Sequence, residues 1–412
     1  MSLHRKVFDL IHNHLRLIKD FGLNILASFL ITAVTQLIVY PWLARNYDST
    51  TYGIILTIMG VGNVLLNTIG NSLNNARLIL NSDYEEKGLQ GDYPILLMVF
   101  NTLSVFVFFV YICCSDSKFI PLTILLLLLY VVLGNIRVYG VVVYRIKLSF
   151  LKNLICSSAV AFGNIVGIAF IIITGYAYLW PLIFVSGELL GIIVLFITSD
   201  ILKEPIKCTS LLKKTTGKYV VLLFTSLVAN LLIYLDRLLL LPILGGDSVS
   251  TYTTASFFGK SLGIVMTPIA GVLLGYYSQN SFSMGKSLFR KINFIMIGFA
   301  TGFFLVSLFL AKWFTGLLYP TLIEEAAPYL VLANLALIIG AVANMTQPAI
   351  LKFAPINWQI VIQIVYFIAY FVGGFFGAKH NGIWGFSIAA LVASAARLIL
   401  LYIIGEYYFN EG

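Results

Sequence analysis

Twelve stretches of about 20 apolar residues constrain this chain more than any other feature, because a helix needs about that length to cross the hydrocarbon core of a bilayer. They fall at 22–44, 52–76, 93–113, 119–143, 154–174, 178–198, 219–243, 251–274, 292–311, 327–349, 357–377 and 383–405. None shows the alternating ten-residue pattern of a membrane β-barrel. Every backbone polar group must be satisfied inside lipid, so apolar runs of this length are helices. The expected fold is an all-α polytopic membrane protein with about twelve transmembrane helices. Composition points the same way: 60% of the residues are hydrophobic and 10% charged, against about 25% charged in a soluble domain. The connections are short and leave no room for an attached soluble domain. The four cysteines (Cys113, Cys114, Cys156, Cys208) lie in or near apolar runs and read as small hydrophobes rather than a disulfide framework or a metal site.

Orientation follows from the basic residues, which concentrate on the cytoplasmic side of membrane proteins. With both termini in the cytoplasm, 18 of the 26 Lys and Arg fall in cytoplasmic segments and 4 in outer loops, the others lying within spans. This bias accounts for the net charge of +9 without nucleic acid as a partner. Residues 1–21 carry Leu3, Val7, Leu10, Ile11, Leu15 and Ile18 at helical spacing, with Arg5, Lys6, Arg16 and Lys19 mostly elsewhere on the wheel. That pattern predicts a cytoplasmic amphipathic segment on an anionic membrane surface. The Lys-rich stretch 199–218 is expected to be a cytoplasmic basic linker between two six-helix lobes, 22–198 and 219–405, with 406–412 as a cytoplasmic tail.

The lobes carry a weak internal likeness. The first span ends Tyr40-Pro41-Trp42-Leu43-Ala44-Arg45, followed by Asp48-Ser49 and Tyr52. The seventh ends Leu241-Pro242-Ile243-Leu244-Gly245-Gly246, followed by Asp247-Ser248 and Tyr252. Proline, small or polar residues, Asp-Ser and Tyr recur about 200 residues apart, as expected for two pseudo-symmetric halves of a transporter.

Charges inside the spans cost roughly 2.5–3.5 kcal/mol each on insertion scales and mark cavities. Six occur: Arg137, Glu188, Asp236, Arg237, Lys260 and Arg397. At a rise of about 1.5 Å per residue, Asp236, Lys260 and Glu188 lie about 12, 13 and 15 Å from the outer surface. Arg397 and Arg137 lie deeper, at about 21 and 27 Å, where snorkelling to the inner surface is the competing reading. Asp236 and Lys260, at matching depth on consecutive helices, are candidate ion-pair partners. Glu188 has no assignable partner and is the better candidate for protonation. Four cations against two anions predict a cavity that prefers an anionic substrate, with Arg137, Arg237, Lys260 and Arg397 as its substrate-binding residues. Arg45 and Arg77, at span ends, read as interface anchors. Tyr40, Trp42, Tyr176, Tyr178, Trp180, Trp313 and Tyr319 read as an aromatic belt. No Walker loop and no HExxH motif is present, and all four histidines lie outside the spans.

The opening Tyr40-Pro41-x-Leu43-Ala44-Arg45 with Tyr52-Gly53 resembles the start of the polysaccharide and O-antigen flippases (Wzx-like). So do Leu235-Asp236-Arg237, Pro242, Leu244-Gly245 and Tyr252. These flippases belong to the multidrug, oligosaccharidyl-lipid and polysaccharide exporter superfamily. Val249-Ser250-Thr251-Tyr252 departs from the more usual Gly-x-Tyr of that turn. The resemblance implies a multi-pass protein of the bacterial inner membrane that is not an enzyme and needs no bound cofactor. It would move a polyprenyl-diphosphate-linked oligosaccharide between leaflets by alternating access. Glu188 or Asp236 would provide coupling to a proton or sodium ion. Membrane lipids, a glycan polymerase and assembly proteins of the same pathway are the expected partners. The rivals are an ion-coupled exporter of drugs or organic cations from the same superfamily, a membrane glycan polymerase and a structural membrane protein. The first calls for a carboxylate in the opening span, and 22–44 has none. Short outer loops and deep charges weigh against the other two.

Overall fold

The computed structural model describes residues 22–23, 25–115, 119–277, 283–355 and 357–409. The expected amphipathic segment 1–21 and the end of the tail lie outside them. Among the described residues the chain is helical, without strands. The first six membrane helices are α1 (Ile25–Asn46), α2 (Ser49–Glu86), α3 (Asp92–Cys114), α4 (Pro121–Ile146), α5 (Phe150–Thr174) and α6 (Leu182–Thr198). Helix α7 comes in two pieces, Leu212–Ile233 and Leu235–Leu244, and α8 likewise, Gly246–Ala255 and Phe257–Tyr277. Then follow α9 (Lys286–Leu318), α10 (Leu330–Phe353) and one continuous stretch, Asn357–Tyr408. That stretch breaks at Asn381 and Gly382, where the glycine adopts φ 58°, so it supplies both α11 (357–380) and α12 (383–408). Ten helices are individually long and apolar enough to span a bilayer. The break in Asn357–Tyr408 and the two-piece α8 account for the remaining two of the twelve expected spans.

Local chemistry sets the ends. Pro121 occupies the first turn of α4, where its missing N–H costs nothing. Gly175 closes α5 in the left-handed region and donates to the Ile171 carbonyl at 2.8 Å. Helices α5 and α6 pack closely through small residues: a Cβ on Gly163 would sit 2.5 Å from the Ser186 carbonyl oxygen. Helix α2, with 38 residues, is about 57 Å long and outreaches a hydrocarbon core of about 30 Å.

Contacts group the residues into two units. Among the described residues, unit 1 holds those up to 40 and 58–234, and unit 2 holds 41–57 and those from 235 on. Two of the three divisions fall at helix irregularities, and the third, between 57 and 58, falls inside the continuous α2. Thr35–Val39 forms a π-helical turn just before Pro41, and Tyr234, between the two pieces of α7, leaves helical geometry at φ −108°, ψ 10°. The lobes read from the sequence count spans along the chain. By contact, the turn after α1 groups with the C-terminal helices, and Leu212–Ile233 groups with the N-terminal ones.

The stretch expected as a linker is helical from Leu212, and its first part is fixed to unit 1. The Arg77 guanidinium donates to Glu204 Oε2 at 2.7 Å and to the Tyr139 hydroxyl at 2.5 Å, and lies 4.9 Å from the Tyr93 ring centroid. Thr209 N–H donates to the Asp92 carboxylate at 2.7 Å. Arg77 is therefore a mostly buried clamp on the linker rather than an interface anchor. Of the expected aromatic belt, Tyr176 and Trp313 are exposed, whereas Tyr40, Trp180 and Tyr319 are buried. Their rings pack on other aromatics inside the protein, such as Trp180 on Phe184.

Candidate functional site

In unit 1 the two membrane charges meet. Arg137 of α4 donates from Nε and Nη2 to the two carboxylate oxygens of Glu188 on α6, at 2.5 and 2.9 Å. Sequence depth left Glu188 without a partner; the structure corrects this. Thr123 near the start of α4 donates to the Tyr178 carbonyl at 2.9 Å, which brings residue 123 level with residue 178. From that register Arg137 lies only four residues, about 6 Å, deeper than Glu188, within reach of an arginine side chain. The two-bond geometry suits a planar guanidinium and lowers the cost of burying both charges.

The pair lines a cavity of about 100 Å³. Asn63, Asn67, Tyr130 and Asn164 contribute its other polar walls, with Thr35 and Tyr40 from the π-turn region of α1. Tyr130 donates to Asn63 Oδ1 at 2.9 Å. Single π-turns inside α-helices occur frequently at functional sites. A count of charges alone overlooks these amides, although Asn63, Asn67 and Asn164 stand out as polar residues within apolar spans.

Unit 2 is built differently. Lys260 donates to Asp236 Oδ2 at 2.9 Å. The adjacent Arg237 is buried, donates from its backbone N–H to Asp236 Oδ1 at 2.9 Å, and from Nη1 to the Leu56 carbonyl at 3.0 Å. Arg397 of α12 is 7% exposed. It donates to Gln347 Oε1 of α10 at 2.5 Å and lies 5.0 Å from the centroid of the Tyr366 ring. Gln347 in turn donates to Gln359 at 3.1 Å. Among the described residues no carboxylate lies within ion-pair distance of Arg397. A buried guanidinium answered only by an amide and a ring keeps a field that favours an anion. The neutral partners Gln347, Gln359 and Tyr366 carry no formal charge and escaped a reading based on charges.

The two similar turns lie together inside unit 2. Ser49 Oγ and Ser250 Oγ are 2.7 Å apart, and Thr50 donates to the Asp247 carboxylate at 2.8 Å. Their backbones touch: a Cβ on Gly53 would sit 1.9 Å from the Gly246 carbonyl oxygen, and one on Gly246 would sit 2.2 Å from that of Thr50. Arg45 closes the same region by donating to the Leu317 carbonyl at 2.7 Å.

No family model and no curated protein matches the sequence. Solved structures do match in fold. The Vibrio cholerae MATE transporter VcmN in its bent form aligns with 96% of this chain and 98% of its own, at 14% identity and a TM-score of 0.60. An outward-facing multidrug resistance MATE family transporter of the MOP superfamily aligns with 94% of this chain and 95% of its own, at 12% identity and 0.65. The lipid II flippase MurJ, in an inward closed conformation, covers 95% of this chain with 87% of its own, at 13% identity and 0.68. The chain is thus a multi-pass membrane protein with the fold shared by these MATE transporters and MurJ.

Proposed function

We propose that this protein is a flippase for a polyprenyl-diphosphate-linked oligosaccharide, an O-antigen or similar repeat unit, at the bacterial inner membrane. The observation that carries the reading is Arg397, buried against an amide and an aromatic ring with no carboxylate in reach among the described residues. With Arg237 and Lys260 sharing Asp236, unit 2 keeps an excess of positive charge suited to a diphosphate. The fold it shares with a lipid II flippase supports the reading, and so does the sequence resemblance around Asp236-Arg237. The same fold serves MATE exporters, so the choice of anion over cation rests on charge. Transport proceeds by alternating access. Coupling to a proton or sodium ion belongs to this reading. Each carboxylate must then release its present cation partner, Arg137 from Glu188 or Lys260 from Asp236, before it takes another.

The test is deletion of the protein and complementation with wild type, Arg397→Ala or Arg397→Lys, reading surface glycan and lipid-linked precursor. Loss of glycan with precursor accumulation in the deletion, uncorrected by Arg397→Ala, is expected. Unchanged glycan in the deletion, with increased sensitivity to cationic drugs, overturns the reading in favour of the exporter.

A further inference from the structure

A groove of about 410 Å³ on unit 2 is lined by Arg290, Lys291, Asn293, Phe294, Ile297 and Tyr402. It does not belong to the transport site above and does not depend on that reading. Five of the six residues come from the first turns of α9, where the helix leaves the basic segment Lys286–Lys291 and enters its apolar run. Tyr402 reaches across from α12. At one end lie Arg290 and Lys291; at the other, Phe294 and Ile297 are exposed, Phe294 at 78%. Arg290 is held in place by Glu406, with Nε 2.9 Å and Nη2 2.6 Å from its carboxylate. Lys291 is exposed and joins no ion pair among the described residues. Of the two cations that line the groove, Glu406 balances Arg290, and Lys291 leaves one positive charge at this end.

We infer that this groove binds one anionic glycerophospholipid of the cytoplasmic leaflet. Its phosphate meets Lys291 and Arg290, and an acyl chain lies along Phe294 and Ile297. The charge sits at headgroup depth, since the helix turns apolar one residue beyond Lys291, and clusters of Lys and Arg at this depth recognise anionic headgroups. An apolar wall directly beneath the cations selects a lipid over a free anion. The tyrosine opposite offers an amphipathic ring suited to the boundary between headgroup and tail.

The experiment uses the full chain in detergent and native mass spectrometry, with phosphatidylglycerol, phosphatidylcholine of the same acyl chains, and inorganic phosphate as probes. One phosphatidylglycerol is expected to bind at least about fivefold more tightly than phosphatidylcholine, from about one uncompensated charge. Lys291→Gln should weaken phosphatidylglycerol about fivefold and Lys291→Glu about twentyfold, with phosphatidylcholine unchanged. Lys207→Glu, on the exposed linker, should change neither. Equal affinity for the two lipids overturns the proposal, as does unaltered binding in Lys291→Gln. Displacement of phosphatidylglycerol by equimolar inorganic phosphate also overturns it, because the site would then hold an ion and no tail.

Discussion

The buried charges of unit 1 and unit 2 are balanced in opposite ways. In unit 1 one guanidinium lies on one carboxylate through two bonds, and the pair is neutral beside a small polar cavity. In unit 2 the described membrane charges are three cations, Arg237, Lys260 and Arg397, and one anion, Asp236. The whole cationic excess of the membrane set therefore resides in unit 2. A neutral pair orients helices and shapes a cavity without attracting a charged ligand strongly, whereas an excess cation in low dielectric does attract one.

The largest expected effect tests that contrast directly. Asp236→Ala strips Lys260 of the carboxylate it bonds and should cost about 3–5 kcal/mol, read as a large fall in thermal stability of the purified protein. Asp236→Met with Lys260→Met should recover only part of this, because the Arg237 N–H also loses its Asp236 acceptor; full recovery would break the comparison. Glu188→Ala should cost about 3–5 kcal/mol by stranding Arg137, and Arg137→Met with Glu188→Met should return close to wild type, since the pair is self-contained. A double variant as unstable as the single one would show that unit 1 depends on more than this pair.

A different kind of effect is expected at Gly246, where alanine would push on the Thr50 carbonyl, a backbone atom that cannot swing aside. Overpacking of this kind costs about 1–3 kcal/mol, measured as lowered stability. Cysteines at Ser49 and Ser250 should form a disulfide on mild oxidation, read as loss of free thiol.

The smallest effect concerns Asp48, which accepts the Thr51 N–H at 2.9 Å and caps α2. That bond holds its carboxyl below the usual carboxylate value. A lowered folded-state pKa means the contribution is present above the unfolded value of about 3.9 and lost as pH falls through the folded one. Asp48→Ala should cost about 1 kcal/mol near neutral pH, and the difference from wild type should vanish in strong acid.

Particular residues show how far the sequence reached. The Asp236 and Lys260 pair was legible because consecutive antiparallel helices share a depth scale through the short turn that joins them. The Arg137 and Glu188 pair was not, because α4 and α6 are separated by α5 and their offset is fixed by a tertiary bond, Thr123 to Tyr178. The likeness of the two turns was visible in their residues. Nothing in the sequence said that they touch, since paired glycines at 53 and 246 mean close approach only once the backbones are placed.

The sequence by itself determined the membrane, the twelve helices, the charged residues within them and the surplus of positive charge, since hydropathy and charge are properties of residues summed along a helix. Tertiary structure alone decided which cations are neutralised and which are left with an amide or a ring. That choice depends on helix register and rotation, and a few ångströms of either exchange a carboxylate for a glutamine.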